Sequence, residues 1–300
     1  MASVSGMSVR RPVVRRVLAT GDAAASSVSR ADTLAVEEPL EIRLGAQSLS
    51  GPGSLSGTGS LSGTEPFSVT MRTPGHDVEL ALGFLVSEGV ITKPDDVVTA
   101  RHCPDAASDA DGNPTHNVVE VHLAAGVEPP SRARHRHMSS ACGICGTESI
   151  DAVRSRSAFD VTADPTVVDG ALLASLPDRL RDAQRVFDTT GGLHAAGLFT
   201  ADGELLCVRE DVGRHNAVDK VVGWAFSTGR LPLRGTVLQV SGRASFELVQ
   251  KAWTAGCPVL AAVSAPSSLA VDLADEAGLT LAGFSRGTRF NLYARADRIS

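Results

Sequence analysis

Two of the chain's five cysteines, Cys142 and Cys145, stand three residues apart in SSACGICGTE, residues 139–148, and each is followed by glycine. A Cys-x-x-Cys pair serves three chemistries: half of a zinc site, a redox couple, or a pair of thiols that handle sulfur. A structural zinc site closes with four Cys or His ligands. No second Cys-x-x-Cys is present, and His135, His137, His194 and His215 lack finger-like spacing to the pair. Zinc nucleobase deaminases carry His-x-Glu ahead of Pro-Cys-x-x-Cys. Here Ala141 precedes Cys142, and the one comparable histidine, in HAAG at 194–197, follows the pair and lacks the glutamate. A thioredoxin-type pair opens a helix beside a β-α-β pattern, and no such frame surrounds this one. Sulfur transfer needs an accessible thiolate. The basic run RARHRH at 132–137 would draw a thiol pKa from ~8.5 toward 7, and Gly143 and Gly146 leave both sulfurs little shielded. These residues alone keep all three uses open, together with a buried pair beside a solvated basic face.

Other clusters are less specific. VREDVGRHNAVDK, 208–220, concentrates Arg209, Glu210, Asp211, Arg214, His215, Asn216, Asp219 and Lys220 at a strand–helix turn. An ion-pair network fixing the turn is favoured there over catalysis. Cys103, Cys207 and Cys257 read as packed small residues, and His76-Asp77 as a helix start.

The elements that must position these groups fall into two parts. Residues 1–30 read as a flexible tail. Residues 31–127 read as a small α+β domain. In it, 33–45 and 66–74 form one strand pair, 96–103 and 117–126 another, and the apolar face of 77–91 makes a helix. Residues 48–64 repeat SLSG three times, a Gly/Ser loop that cannot bury a core. Residues 128–150, which hold the cysteine pair, read as a long mobile loop. From 151 to 300 the order is helix, hairpin, helix, strand, helix, strand, helix, strand: a three-layer α/β domain with a parallel sheet. Asp169 is placed to cap the first of these helices, Pro177 to kink or break it, and Asp202-Gly203 to turn the hairpin. Ligands of open α/β sheets bind beyond the carboxyl ends of the parallel strands. Those ends carry 241–245, 264–268 and 284–289, rich in Ser, Gly and Arg, so a phosphate-bearing ligand is a natural guest.

A net charge of −6 in 300 residues argues against a nucleic-acid surface. All but three of the 28 basic residues are arginine, so an anion would be met by arginine. Five cysteines without framework spacing predict a reducing compartment and not a disulfide scaffold. No apolar run reaches the ~18 residues of a membrane span, and the N-terminus lacks a signal-type apolar stretch.

SSACGICGTES, DTTGGLHAAGLF, VREDVGRHNAVDKVVG, VSGRASFELVQKA, AAVSAPSSLAVDLADEAGLTLAGFSRG and RFNLY, in this order, resemble the FdhD-type formate dehydrogenase accessory sulfurtransferase family from about residue 30 to the end. The resemblance implies a cytoplasmic sulfurtransferase, expected as a homodimer. It would take sulfur from a cysteine desulfurase as a persulfide on Cys142, with Cys145 as an auxiliary thiol. It would pass the sulfur to the bis(molybdopterin guanine dinucleotide) form of the molybdenum cofactor for formate dehydrogenase. The cofactor's nucleotide portion would lie on Phe284, Ser285, Arg286, Gly287, Thr288 and Arg289. The same resemblance implies a cytidine-deaminase-like fold for the C-terminal domain, without the zinc site. A cofactor-holding chaperone without thiol chemistry, or a zinc-dependent hydrolase, are the alternatives.

Overall fold

A computed structural model describes residues 6–19, 25–46, 63–103, 116–128 and 157–300. Cys142, Cys145 and the basic run at 132–137 lie outside the described residues, as does nearly all of the 48–64 repeat.

A four-stranded sheet has the order β4-β3-β6-β5, from β3 (Glu38–Ala46), β4 (Glu65–Arg72), β5 (Val97–His102) and β6 (Val118–Leu123). Both strand pairs expected from sequence are present and antiparallel, and a parallel β3–β6 pairing joins them. Alternate residues Leu40, Ile42 and Leu44 on β3, and Val119, Val121 and Leu123 on β6, are buried. They join one core with Leu80 and Leu85 of helix α1 (Asp77–Ser87).

The second sheet has six strands in the order β12-β11-β10-β9-β7-β8. Its centre, β9 (Thr236–Val240), β10 (Val259–Ala262) and β11 (Thr280–Arg286), is parallel. The hairpin β7 (His194–Thr200) and β8 (Leu205–Asp211) runs antiparallel at one side, turned at Gly203 with φ 87°. Strand β12 (Arg289–Ala294) runs antiparallel at the other. Helices cover both faces, which is why β10 is apolar throughout. Helix α2 (Gly170–Asp182) sets Leu173, Leu176 and Leu180 against Phe199, Val237, Val259 and Ala282. Leu238, Leu260 and Leu281 face the larger core with α4 (Arg214–Ser227), α5 (Phe246–Thr254) and α6 (Ser268–Ala277). A short helix α3 (Arg185–Thr190) precedes β7.

Asp169 caps α2, its carboxylate accepting from Leu172 N at 2.8 Å. Pro177 does not break the helix. It removes the amide that would bond the carbonyl of Leu173 four residues back, and the buried Ser285 hydroxyl of β11 lies 3.5 Å from that carbonyl.

The two sheets are joined through α1 and α4, which cross at Gly83 and Gly223, and through a buried polar network. Lys220 Nζ donates to Asp211 Oδ2 at 2.7 Å and to Thr73 O at 2.9 Å, while Thr73 N donates to Asp211 Oδ2. Asn216 Nδ2 reaches Met71 O at 2.7 Å. Lys251 Nζ and Ser87 Oγ both donate to Asp219 Oδ1, at 2.7 and 2.9 Å. Arg209 grips Glu79 through two hydrogen bonds of 2.5 and 2.8 Å. Burial alone would raise the Glu79 pKa, but the bonds from Arg209 and His76 outweigh it and hold the carboxyl down to about 2.

Residues 1–30 do not form the expected tail. There β1 (Ser8–Val17) pairs with β2 (Ser26–Ala35), which runs past residue 30, over ten residues as a separate two-stranded sheet. Its strands are exposed for most of their length, so neither face imposes the polar–apolar alternation that marks a half-buried strand.

Candidate functional site at the carboxyl edge of the parallel strands

The three segments beyond β9, β10 and β11 do share one edge. Ser264 N donates to Gly242 O and Phe284 N to Ser264 O, both at 3.2 Å, and Ser267 N donates to Ala244 O at 3.0 Å. Antiparallel β7 brings its first residue, His194, to the same edge, opposite Asp211 at the end of β8. Helix α4 starts three residues later with Arg214 and His215. One contiguous rim therefore holds His194, Gly242, Arg214, His215, Ser245 and Phe284.

Gly242 is the close point of this rim. A Cβ there would stand 3.4 Å from His194 Nδ1 and 3.9 Å from Arg214 Cδ. Burial lowers the His194 pKa, and the charges of Arg214 and His215 lower it further against an opposing pull from Asp211, so the neutral imidazole is favoured. Arg214 Nε is buried and has no hydrogen-bond partner among the described residues. His215 Nε2 lies 2.8 Å from Glu247 Oε2 and 3.1 Å from Ser245 Oγ. Ser245 and Ser267 stand at the starts of α5 and α6, where the Ser267 hydroxyl accepts from Ala270 N at 3.2 Å, so helix N-termini add positive potential to the rim.

Phe284 departs most from ordinary backbone. Its φ is 53°, a left-handed conformation that costs a non-glycine residue on the order of 1 kcal/mol or more. The cause is an irregularity in the β11–β12 register between Gly283 and Arg286. A side chain at Gly283 would meet Pro266 Cδ at 3.0 Å and Ser264 O at 3.2 Å, so the bend at Phe284 carries the chain past this contact. The ring is left 44% exposed.

Residues 284–289 thus form the closing part of a hairpin. Arg286 pairs with Arg289 across a two-residue turn, Gly287-Thr288, with Gly287 at φ 58°. Phe284, Arg286, Gly287, Thr288 and Arg289 are exposed. The Ser285 side chain is fully buried against α2 and can offer a ligand at this edge only its backbone. Among the described residues no group of three or more His, Cys, Asp and Glu side chains is placed to hold a metal ion.

The cluster at 208–220 divides into two. Asp211, Asn216, Asp219 and Lys220 are buried in the network joining the sheets, as expected of a structural ion-pair cluster. Arg214 and His215 instead face the rim. His194 entered the sequence analysis only as a zinc-ligand candidate without finger-like spacing and as a poor match to a deaminase motif. Its place depends on the β7–β9 pairing, which links residues some 40 positions apart.

The sequence profile of the FdhD/NarQ family matches residues 60–300, and with it the rim and the Cys142/Cys145 stretch. The chain belongs to the FdhD/NarQ family. It is 55% identical over 278 residues to the sulfur carrier protein FdhD of Mycolicibacterium paratuberculosis, covering 92% of this chain and 95% of that one. It is 55% identical over 289 residues to that of Streptomyces avermitilis, covering 95% of each. With the Nocardia farcinica protein of the same name it shares 53% identity over 293 residues, covering 98% and 95%. A crystal structure of a candidate formate dehydrogenase accessory protein from Desulfotalea psychrophila superposes with a TM-score of 0.66. It covers 98% of this chain and all of that one at 22% identity, a likeness of fold. As an FdhD/NarQ member the chain carries the mixed α/β architecture described above.

Proposed function

We propose that this chain is a sulfurtransferase that matures formate dehydrogenase, with Cys142 as the carrier. The observation that supports it most is the family match, which spans both the Cys142/Cys145 pair and the carboxyl-edge rim. The name shared by the relatives, sulfur carrier protein, points the same way.

In the first step the Cys142 thiolate attacks the terminal sulfur of a cysteine desulfurase persulfide. One S–S bond breaks and another forms, the desulfurase leaves as a thiolate, and no net oxidation occurs. In the second step the terminal sulfur passes to the molybdenum centre of the bis(molybdopterin guanine dinucleotide) cofactor, which is the substrate. Attack of the Cys145 thiolate on the inner sulfur of Cys142 expels the terminal sulfur as sulfide. It leaves a Cys142–Cys145 disulfide, which a dithiol reductant resets.

The cofactor's guanine nucleotide ends are proposed for the rim. Arg286, Arg289, Arg243 and Arg214 would face the phosphates and the exposed Phe284 ring would face a base, while Gly287 and Thr288 offer backbone amides. His194, whose surroundings disfavour its charged form, and the two helix starts suit an anion that must also leave. The order of hairpin and parallel strands suits the cytidine-deaminase-like fold proposed for residues 151–300. No helix among the described residues is long and apolar enough to cross a membrane. A cytoplasmic homodimer completes this reading.

Calorimetric titration with GDP tests the ligand edge. An Arg286→Ala/Arg289→Ala double variant is expected to bind at least about 10-fold more weakly than wild type, because two charge-assisted contacts are lost. Ser285→Ala is expected to keep its affinity, since that hydroxyl faces α2. Unchanged affinity in the double variant would move the nucleotide away from 284–289.

A further inference from the structure

The β1–β2 ribbon takes no part in the rim, yet its surface calls for a covering partner. Among the described residues its base is what is held: Met7 and Ala35 pack with Val186 and Leu193, and Val36 N donates to Met7 O at 2.9 Å. From there ten paired residues project for about 33 Å at the usual strand rise. A two-stranded ribbon is marginal in water by itself, and among the described residues no further strand pairs with either edge of this one.

Its register sorts the side chains. Opposite residues of an antiparallel pair share a face, so Val13, Val17, Val28 and Leu34 lie on one face with Arg11, Arg15, Arg30 and Asp32, the last 3.5 Å from Arg30, while Val14 lies on the other with Arg10 and Arg16. The three valines are 37%, 55% and 59% exposed. Residues 6–35 hold five arginines against Asp22 and Asp32, a net +3 in a chain of −6, which leaves −9 on the remainder.

We propose that this ribbon is an arm that grips a second copy of the same chain, its arginine–valine face lying on the acidic body of the partner. Charge complementarity selects that occupant, because the arm is basic and the rest of the chain is acidic. Two-fold exchange makes the contact reciprocal, so two arms contribute to an interface that a stable dimer needs at about 1,200–2,000 Å² in total. The proposal rests on the dimer of the reading above and assigns the element that forms it.

The test uses the full chain at micromolar concentration, with mass measured by sedimentation equilibrium. Wild type is expected at twice the monomer mass. Arg11→Glu/Arg15→Glu/Arg30→Glu and Val13→Ser/Val17→Ser/Val28→Ser are each expected to weaken dimerisation at least about 100-fold. Their circular dichroism spectra and GDP affinity should stay unchanged, because the altered side chains lie on the arm and away from the core, while the unfolding midpoint falls only by the lost contribution of dimerisation. A dimer that persists in both variants overturns the arm while leaving the dimer standing. A monomeric wild type overturns both. A monomeric wild type whose arm binds vesicles of anionic lipid would give the ribbon to a membrane surface instead.

Discussion

Cys142→Ala is expected to leave formate dehydrogenase at least about 100-fold less active when it replaces wild type in cells that depend on this chain. Removing the attacking atom of a covalent transfer leaves the step without a substitute. Two of the chain's other thiols, unlike the half-buried Cys103, are closed off by burial. Cys207 is buried on β8, and desolvation pushes its pKa up to about 12. Cys257 is fully buried, its pKa is raised by the same cause, and its sulfur lies 3.4 Å from Val259 O. Neither can present a thiolate at pH 7. Cys207→Ala and Cys257→Ala are therefore expected to lose stability before they lose sulfur transfer. Cys145→Ala should retain a persulfide on Cys142 while slowing its release. Full activation by Cys142→Ala would remove thiol chemistry from the account and favour a chaperone that only holds the cofactor.

The second large effect concerns the joint between the sheets. A Cβ on Gly83 would stand 1.8 Å from Asp219 O, and a Cβ on Gly223 1.8 Å from Glu79 O. Both obstacles are backbone, so no rotamer change relieves them, and α1 and α4 must move apart. That separation would stretch the bonds from Ser87 to Asp219 and from Lys220 to Thr73, leaving buried charges poorly paired. Gly83→Ala and Gly223→Ala are each expected to cost roughly 3 kcal/mol or more, read as a lowered urea midpoint or loss of soluble protein. Gly63→Ala, with nothing within 4 Å of its Cβ, is expected to stay within about 0.5 kcal/mol of wild type. A wild-type midpoint for Gly83→Ala would mean the helices do not cross at this distance.

Much of this architecture is legible in the sequence because burial imposes periods. Leu40, Ile42 and Leu44 alternate on β3, and the β-α-β run from Thr236 to Arg286 alternates strands with amphipathic helices. The β1–β2 ribbon is not legible, since it buries neither face and its Arg and Ser content reads as a solvated tail. The β3–β6 pairing joins segments some 77 positions apart, and no local signal sets that register. At the candidate site, Phe284, Arg286 and Arg289 were visible as an arginine-bearing strand end. Ser285 was not separable from them, because its burial follows from the packing of β11 against α2, a contact between distant segments. His194, Arg214 and His215 form a rim only after β7 pairs with β9, so their types were legible and their meeting was not.

The most direct test of sulfur carriage is the intact mass of the chain after incubation with an active cysteine desulfurase and L-cysteine, without reductant, followed by peptide fragmentation. The account predicts one added sulfur mapped to residues 138–150, removed by thiol and missing in Cys142→Ala. An unmodified chain beside a turning-over desulfurase, or an adduct that persists in Cys142→Ala, would contradict it.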